Sequence, residues 1–114
     1  MPTLDECKEL IWQLGEEKGW GKEVATKIYY GMIELGEAGD LWKHREDWDY
    51  LKSIGIEDEA DLENHMAMEF IDTIFYCLHA LRCLNPYLSV DEIFLSKFDI
   101  NVRRNRVYAD DRIE

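Results

Sequence analysis

Between Met66 and Leu81 the chain reads Met-Ala-Met-Glu-Phe-Ile-Asp-Thr-Ile-Phe-Tyr-Cys-Leu-His-Ala-Leu, and its only carboxylates are Glu69 and Asp72. A segment apolar almost all the way round predicts a buried helix. Burying an uncompensated carboxylate costs several kcal/mol, so two of them at i, i+3 require a cation, a proton or an arginine beside them. Spacing alone proves little: with 25 Asp and Glu among 114 residues, roughly five acid-x-x-acid pairs arise by chance. The apolar context makes this pair informative.

The remaining elements follow from caps and periodicity. Thr3-Leu-Asp-Glu6 has the spacing of a capping box and predicts a helix over about 4–18, with Cys7, Leu10, Ile11 and Leu14 on its inner face and Gly15 and Gly19 as stop signals. A second helix, about 22–42, places Val24, Ile28, Met32, Leu35 and Leu41 on a helical period, with Glu34 and Glu37 in its middle. The charge-dense stretch 43–61 reads as a connection with one short amphipathic turn. The third helix spans about 62–84 and ends at Asn85-Pro86, because proline disfavours helical geometry in the residue before it. Ser89-Val-Asp-Glu92 opens a fourth helix to about 105, with Ile93, Phe94, Phe98 and Val102 as core candidates. No stretch alternates with period two. The fold expected is all-α, one four-helix bundle over residues 1–114.

Composition excludes several function classes. The formal charge of −12 disfavours a surface that holds a phosphate backbone, so no stable nucleic-acid partner is expected. No uninterrupted apolar stretch reaches bilayer length, and no basic start precedes an apolar core, so a soluble, cytoplasmic chain with no membrane partner is expected. The three cysteines, Cys7, Cys77 and Cys83, form no Cys-x-x-Cys and read as free thiols.

Glu34 and Glu37 repeat the i, i+3 arrangement of Glu69 and Asp72. If the two helices face each other, four carboxylates converge into an oxygen cage, and hard oxygen ligands favour Mg²⁺ or Mn²⁺. The competing reading has Glu34 and Glu37 outward, paired with Lys27 or Lys43. Lys97, Asn101 and Arg104 fall at i, i+4 and i+7 on the fourth helix, a cationic stripe suited to polyphosphate, or a solvated helix end whose arginines complement the helix dipole. His65 and His79 lie on the stripe of Glu69 and Asp72, but no Glu-x-x-His occurs, which argues against a carboxylate di-metal redox bundle. A non-catalytic helical interaction module is the other alternative.

Taken together, Glu34-Leu-Gly-Glu37, Glu69-Phe-Ile-Asp72 and Lys97-Phe-Asp-Ile-Asn101-Val-Arg-Arg104 resemble, in order, the motifs of the all-α nucleoside triphosphate pyrophosphohydrolases, a group that includes MazG-like proteins, dCTP pyrophosphatases and dimeric dUTPases. The resemblance covers about 17–104. It implies a MazG-like bundle completed by oligomerisation, as a homodimer or homotetramer. It further implies Mg²⁺ (or Mn²⁺) held by Glu34, Glu37, Glu69 and Asp72, and phosphate contacts from Lys97 and Asn101, with Arg104 closing that motif. Trp20 and Tyr76 match base-holding positions of the dCTP pyrophosphatase branch, although each also reads as an ordinary core aromatic. The implied reaction is hydrolysis of a nucleoside triphosphate, dCTP or a related deoxynucleotide, to monophosphate and pyrophosphate in a house-cleaning role, with Glu34 or Glu37 taking the proton from water. Two departures stand out. Ile33 occupies a position where some members carry a further Glu, and the connection between the acid motifs, 38–68, is longer than usual.

Overall fold

The structure, a computed structural model, describes residues 1–104. Among these the chain is all-helical: α1 (Leu4–Lys18), α2 (Val24–Lys43), α3 (Trp48–Ser53), α4 (Glu59–Leu84) and α5 (Val90–Arg103). The four long helices stand where the caps and periodicities put them, within about three residues at each end. The fifth, α3, is the short turn expected in the connection.

The helix ends show why. Thr3 Oγ1 accepts from the Glu6 N–H at 3.1 Å while the Glu6 carboxylate accepts from the Thr3 N–H at 3.0 Å, a complete capping box. At the other end of α1, Gly19 adopts φ 71°, ψ 32°, with Gly19 N–H bonded to Glu16 O and Trp20 N–H to Gly15 O at 2.9 Å. This is a Schellman motif, in which the residue after the left-handed glycine folds back over the last turn. Gly19 is therefore the stop. Gly15, expected as a second stop, lies inside α1 and has a different purpose described below.

The start of α5 is capped from two directions. Ser89 Oγ accepts from Glu92 N–H, and the Asp5 carboxylate accepts from Val90 N–H at 2.6 Å and from Asp91 N–H at 3.4 Å. In return the Asp91 carboxylate accepts from the N–H groups of Leu4 and Asp5. Each helix N-terminus thus carries a negative group lent by the other, which satisfies free amides and complements both dipoles. Lys8, buried, donates to Leu88 O at 2.7 Å and locks the same corner.

α2 and α4 form the long antiparallel pair around which the rest is arranged, α4 also packing on α1, and α5 chiefly on α1. At Gly31 the seam is close, a Cβ there standing in van der Waals contact with Tyr76 Cβ at 3.4 Å. At the other end of the seam a small apolar core joins Leu41, Leu51, Ile56 and Leu62, with Trp48, Tyr50 and Met66 packed on it. Leu51 is 0% exposed. The charge-dense connection is consequently a core element.

Much of the apolar surface expected inside is not covered by this chain. Ile28, Met32 and Leu35 of α2, Met68, Ile71 and Phe75 of α4, and Ile93, Phe94, Phe98 and Val102 of α5 are all exposed, Met32 at 67% and Phe98 at 60%. The core assignment of the α5 residues does not hold within one chain, because α5 leans on α1 through its first turns and leaves its outer length without a neighbour.

Candidate functional site

The antiparallel seam brings the two acid pairs to one level. Glu34 and Glu37 lie one turn apart on α2, and Glu69 reaches between them from α4, so that one oxygen of each lies within 4.8 Å of the others. None of the three is ion-paired to Lys27 or Lys43, so the outward-facing alternative does not describe them. Asp72 sits one turn further along α4 on the same face. It lines a neighbouring cavity with Glu34 rather than joining the group of three.

Among the described residues, Glu69 Oε2 is the buried side-chain oxygen with no hydrogen-bond partner. Burial first, then the carboxyls of Glu34 and Glu37, pushes the Glu69 carboxyl up to about 8. Left alone the group therefore holds a proton at neutral pH, and an ion among these oxygens would replace it. The donor set fits a hard divalent cation: three carboxylates, no thiolate and no imidazole.

Cavities open on both sides of the carboxylates. On the α3 side, a space of about 440 Å³ is lined in part by Glu37, Glu69, His65, Tyr50 and Ile54. On the α1 side, one of about 200 Å³ is lined by Trp20, Phe75, Tyr76 and His79 together with Glu34 and Asp72. Trp20 and Tyr76 thus meet at one cavity beside the acids. The Schellman turn folds Trp20 back over α1, and Tyr76 stands one turn beyond Asp72 with its ring 5.8 Å from that of Tyr30. Burial, then the Glu34 and Asp72 carboxylates, pushes the Tyr76 phenol above its usual range and keeps it a hydrogen-bond donor.

Behind this cavity lies a cluster that sequence reasoning singled out only in part. His79, 3% exposed, stacks on Trp12 with ring centroids 5.6 Å apart and takes the edge of Trp20 at 5.8 Å. Its Nδ1 faces Cys83 Sγ at 3.9 Å. Gly15 makes the approach possible: a Cβ there would stand 2.8 Å from His79 Nε2 and 3.0 Å from Trp20 Cε3. Burial and then the Lys27 charge lower the His79 pKa, so the imidazole is neutral. Trp12 and Lys27 were not marked by the sequence. Trp12 lacked any motif, and Lys27 read as surface charge although it is 5% exposed.

Lys97 and Asn101 do not reach the carboxylates within one chain. They line a shallow hollow formed by α5 alone, beside Phe94 and Phe98, and Arg104 follows the end of the helix. His44 and Trp48, on the long connection, are engaged locally: the His44 ring lies tilted against that of Tyr50, centroids 4.4 Å apart, and Trp48 packs on the small core. No protein family, curated protein or solved structure matched the chain.

Proposed function

We propose that this chain is a Mg²⁺-dependent nucleoside triphosphate pyrophosphohydrolase of the MazG-like kind, acting in the cytoplasm as a homodimer or homotetramer. The observation that carries the reading is the convergence of Glu34, Glu37 and Glu69 around an oxygen, Glu69 Oε2, that is buried without a partner. A chain with no use for a cation there would be more stable with a glutamine or an apolar residue at that place.

Glu34, Glu37 and Glu69 would hold the ion, with Asp72 one turn away for a second ligand or a second ion. Mg²⁺, when bound, supplies neutralisation of triphosphate oxygens and eases loss of a proton from water. Glu37, the most exposed of the three, is the carboxylate best placed to receive that proton from bulk-accessible water. The cavity between Trp20 and Tyr76 offers flat apolar walls next to the acids, and at about 200 Å³ it suits one ring system rather than a whole nucleotide. The phosphates need cations that the acid-lined site lacks. Lys97, Asn101 and Arg104 supply them once a second copy presents its α5 to the carboxylate face, where exposed apolar side chains of α2, α4 and α5 await cover.

The test is pyrophosphate release from dCTP, dUTP, dTTP, dATP and dGTP, with and without Mg²⁺. Metal-dependent release is expected from at least one of them, and Glu69→Gln lowers it at least about a hundredfold, since loss even of outer-shell metal partners costs about 10–100-fold. No release from any of the five with either Mg²⁺ or Mn²⁺, or full activity in Glu69→Gln, overturns the assignment.

A further inference from the structure

His79 is 3% exposed, yet among the described residues only one of its two ring nitrogens has a partner: Nδ1 faces the Cys83 sulfur at 3.9 Å, and Nε2 makes no hydrogen bond. Nor is Nε2 sealed off, because among the described residues the fully enclosed side-chain atom left without a partner is Glu69 Oε2. What stays open of the imidazole therefore includes Nε2, and the cavity His79 lines is the slot it shares with Trp20, Phe75, Tyr76, Glu34 and Asp72. Gly15 keeps that nitrogen uncovered, since a Cβ there would press on Nε2 at 2.8 Å and on the Trp20 ring at 3.0 Å.

The Cys83 contact sets which nitrogen carries the ring hydrogen. Burial pushes the Cys83 thiol up, so the sulfur keeps its hydrogen and donates it to Nδ1, the stronger acceptor of the two atoms. In the neutral imidazole the ring hydrogen is then on Nε2, which makes it a donor. Asp72, Tyr76 and His79 fall at i, i+4 and i+7 on α4, so the slot runs along that helix from carboxylate to imidazole, over about 10 Å at about 1.5 Å per residue. A nucleotide with its phosphates toward the carboxylates and its ring against Trp20 and Tyr76 turns toward His79 the ring edge opposite the glycosidic nitrogen. In a pyrimidine that edge carries the substituent on C4, an oxo group in uracil and thymine and an amino group in cytosine. The oxo group accepts from Nε2–H, whereas the amino group sets donor against donor and leaves a desolvated N–H unpaired. Resting on the nucleotide reading above, we propose that His79 is a specificity-determining residue whose Nε2–H makes this slot favour 4-oxo over 4-amino pyrimidines.

The experiment compares kcat/KM for dUTP and dTTP with that for dCTP under saturating Mg²⁺, in the wild type, in His79→Phe, which keeps a flat ring against Trp12 and removes the donor, and in His79→Gln, which restores an N–H. The wild type is expected to favour the oxo pyrimidines at least about tenfold, and His79→Phe to reduce that ratio at least about fivefold, while His79→Gln retains more of it than His79→Phe. A wild-type preference for dCTP, or an unchanged ratio in a His79→Phe protein whose near-UV circular dichroism is native, overturns the proposal. Nitrogen-15 NMR of the wild-type imidazole needs no variant and separates the two levels of inference. It is expected to show the hydrogen on Nε2, and the Nε2 resonance to be displaced by dUMP with Mg²⁺ and not by dCMP. A hydrogen on Nδ1, or equal displacement by the two nucleotides, overturns the proposal. Displacement selective for dUMP in a protein that releases no pyrophosphate sustains the slot and removes the hydrolase, whereas turnover without that selectivity sustains the hydrolase and removes the role of His79.

Discussion

Two residues carry contradictory local preferences, and each contradiction points to what surrounds it. Glu69 is a carboxyl held up to about 8 by burial and by Glu34 and Glu37. Because its folded pKa lies above the ordinary 4.5, the folded chain binds the extra proton between these values, so its contribution to stability is full below about pH 4.5 and is lost as pH rises through about 8. Without metal, thermal stability should decline over that window, and Glu69→Gln should flatten the slope and raise Tm at pH 8. With Mg²⁺ added near pH 7, calorimetry in buffers of different ionisation enthalpy should show a proton released on binding. Equal slopes in the two proteins would remove the buried acid from the account. Gly15 is the second case. In an exposed helix interior, alanine is better than glycine by about 0.5–1 kcal/mol. Here the added methyl meets an imidazole clamped between two indoles, and overpacking of that kind costs about 1–3 kcal/mol. Gly15→Ala should therefore destabilise by about 1 kcal/mol in denaturant melts, the opposite sign to its propensity.

Helices interact here mainly through their ends and one shared seam, which decides what the sequence could reveal. Capping boxes, the Gly19 stop and Asn85-Pro86 are local codes, readable because their partners lie within a few residues, so the helix boundaries were legible. The facing of Glu34 and Glu37 on Glu69 was legible too, since only an apolar context makes a buried acid pair informative. What sequence could not show are contacts between distant segments. The exchange of caps between Asp5 and Asp91 spans 86 positions, and nothing about Asp5 distinguishes it from an ordinary first-turn acid. Its partners, first the Val90 N–H and then Ser89, hold the Asp5 carboxyl down to about 2. A depressed pKa contributes stability above the ordinary 3.8 that is lost as pH falls through about 2. Hydrogen exchange should accordingly show the amides of α5 losing protection over that acid window before those of the α2–α4 seam. In Asp5→Asn the loss of protection should no longer follow pH. The connection taught the same lesson from the packing side. Its charge density concealed Leu51 and Ile56, and Leu51→Ala should cost about 2–5 kcal/mol, as for a filled core position and unlike a loop.

At the scale of the whole molecule, the described chain is extended rather than closed. Its Cα radius of gyration is 17.2 Å, against about 13 Å for a compact domain of roughly this length. Monomeric proteins rarely leave apolar patches larger than a few hundred Å² in water, yet α5 projects Phe94, Phe98 and Val102 while α2 and α4 expose Ile28, Met32, Met68 and Phe75. The two surfaces also differ in charge, since Lys97, Arg103 and Arg104 accompany the first and Glu34, Glu37 and Asp72 accompany the second. Association that sets α5 of one copy on the α2–α4 face of another would bury the apolar groups and deliver cations to the carboxylates in a single step. Sedimentation should find no stable single-chain species at micromolar concentration, and Phe98→Asp should shift the population toward monomer with loss of activity. Complementation reads the arrangement more closely. Glu69→Gln and Lys97→Ala chains, each inactive alone, should regain about a quarter of wild-type activity when mixed as a random dimer population. Half of the dimers are then mixed, and each mixed dimer has one site with both an intact acid cluster and an intact lysine. Sites built within one chain would leave the mixture as inactive as its parts, because every acid cluster would remain joined to its own chain's lysine.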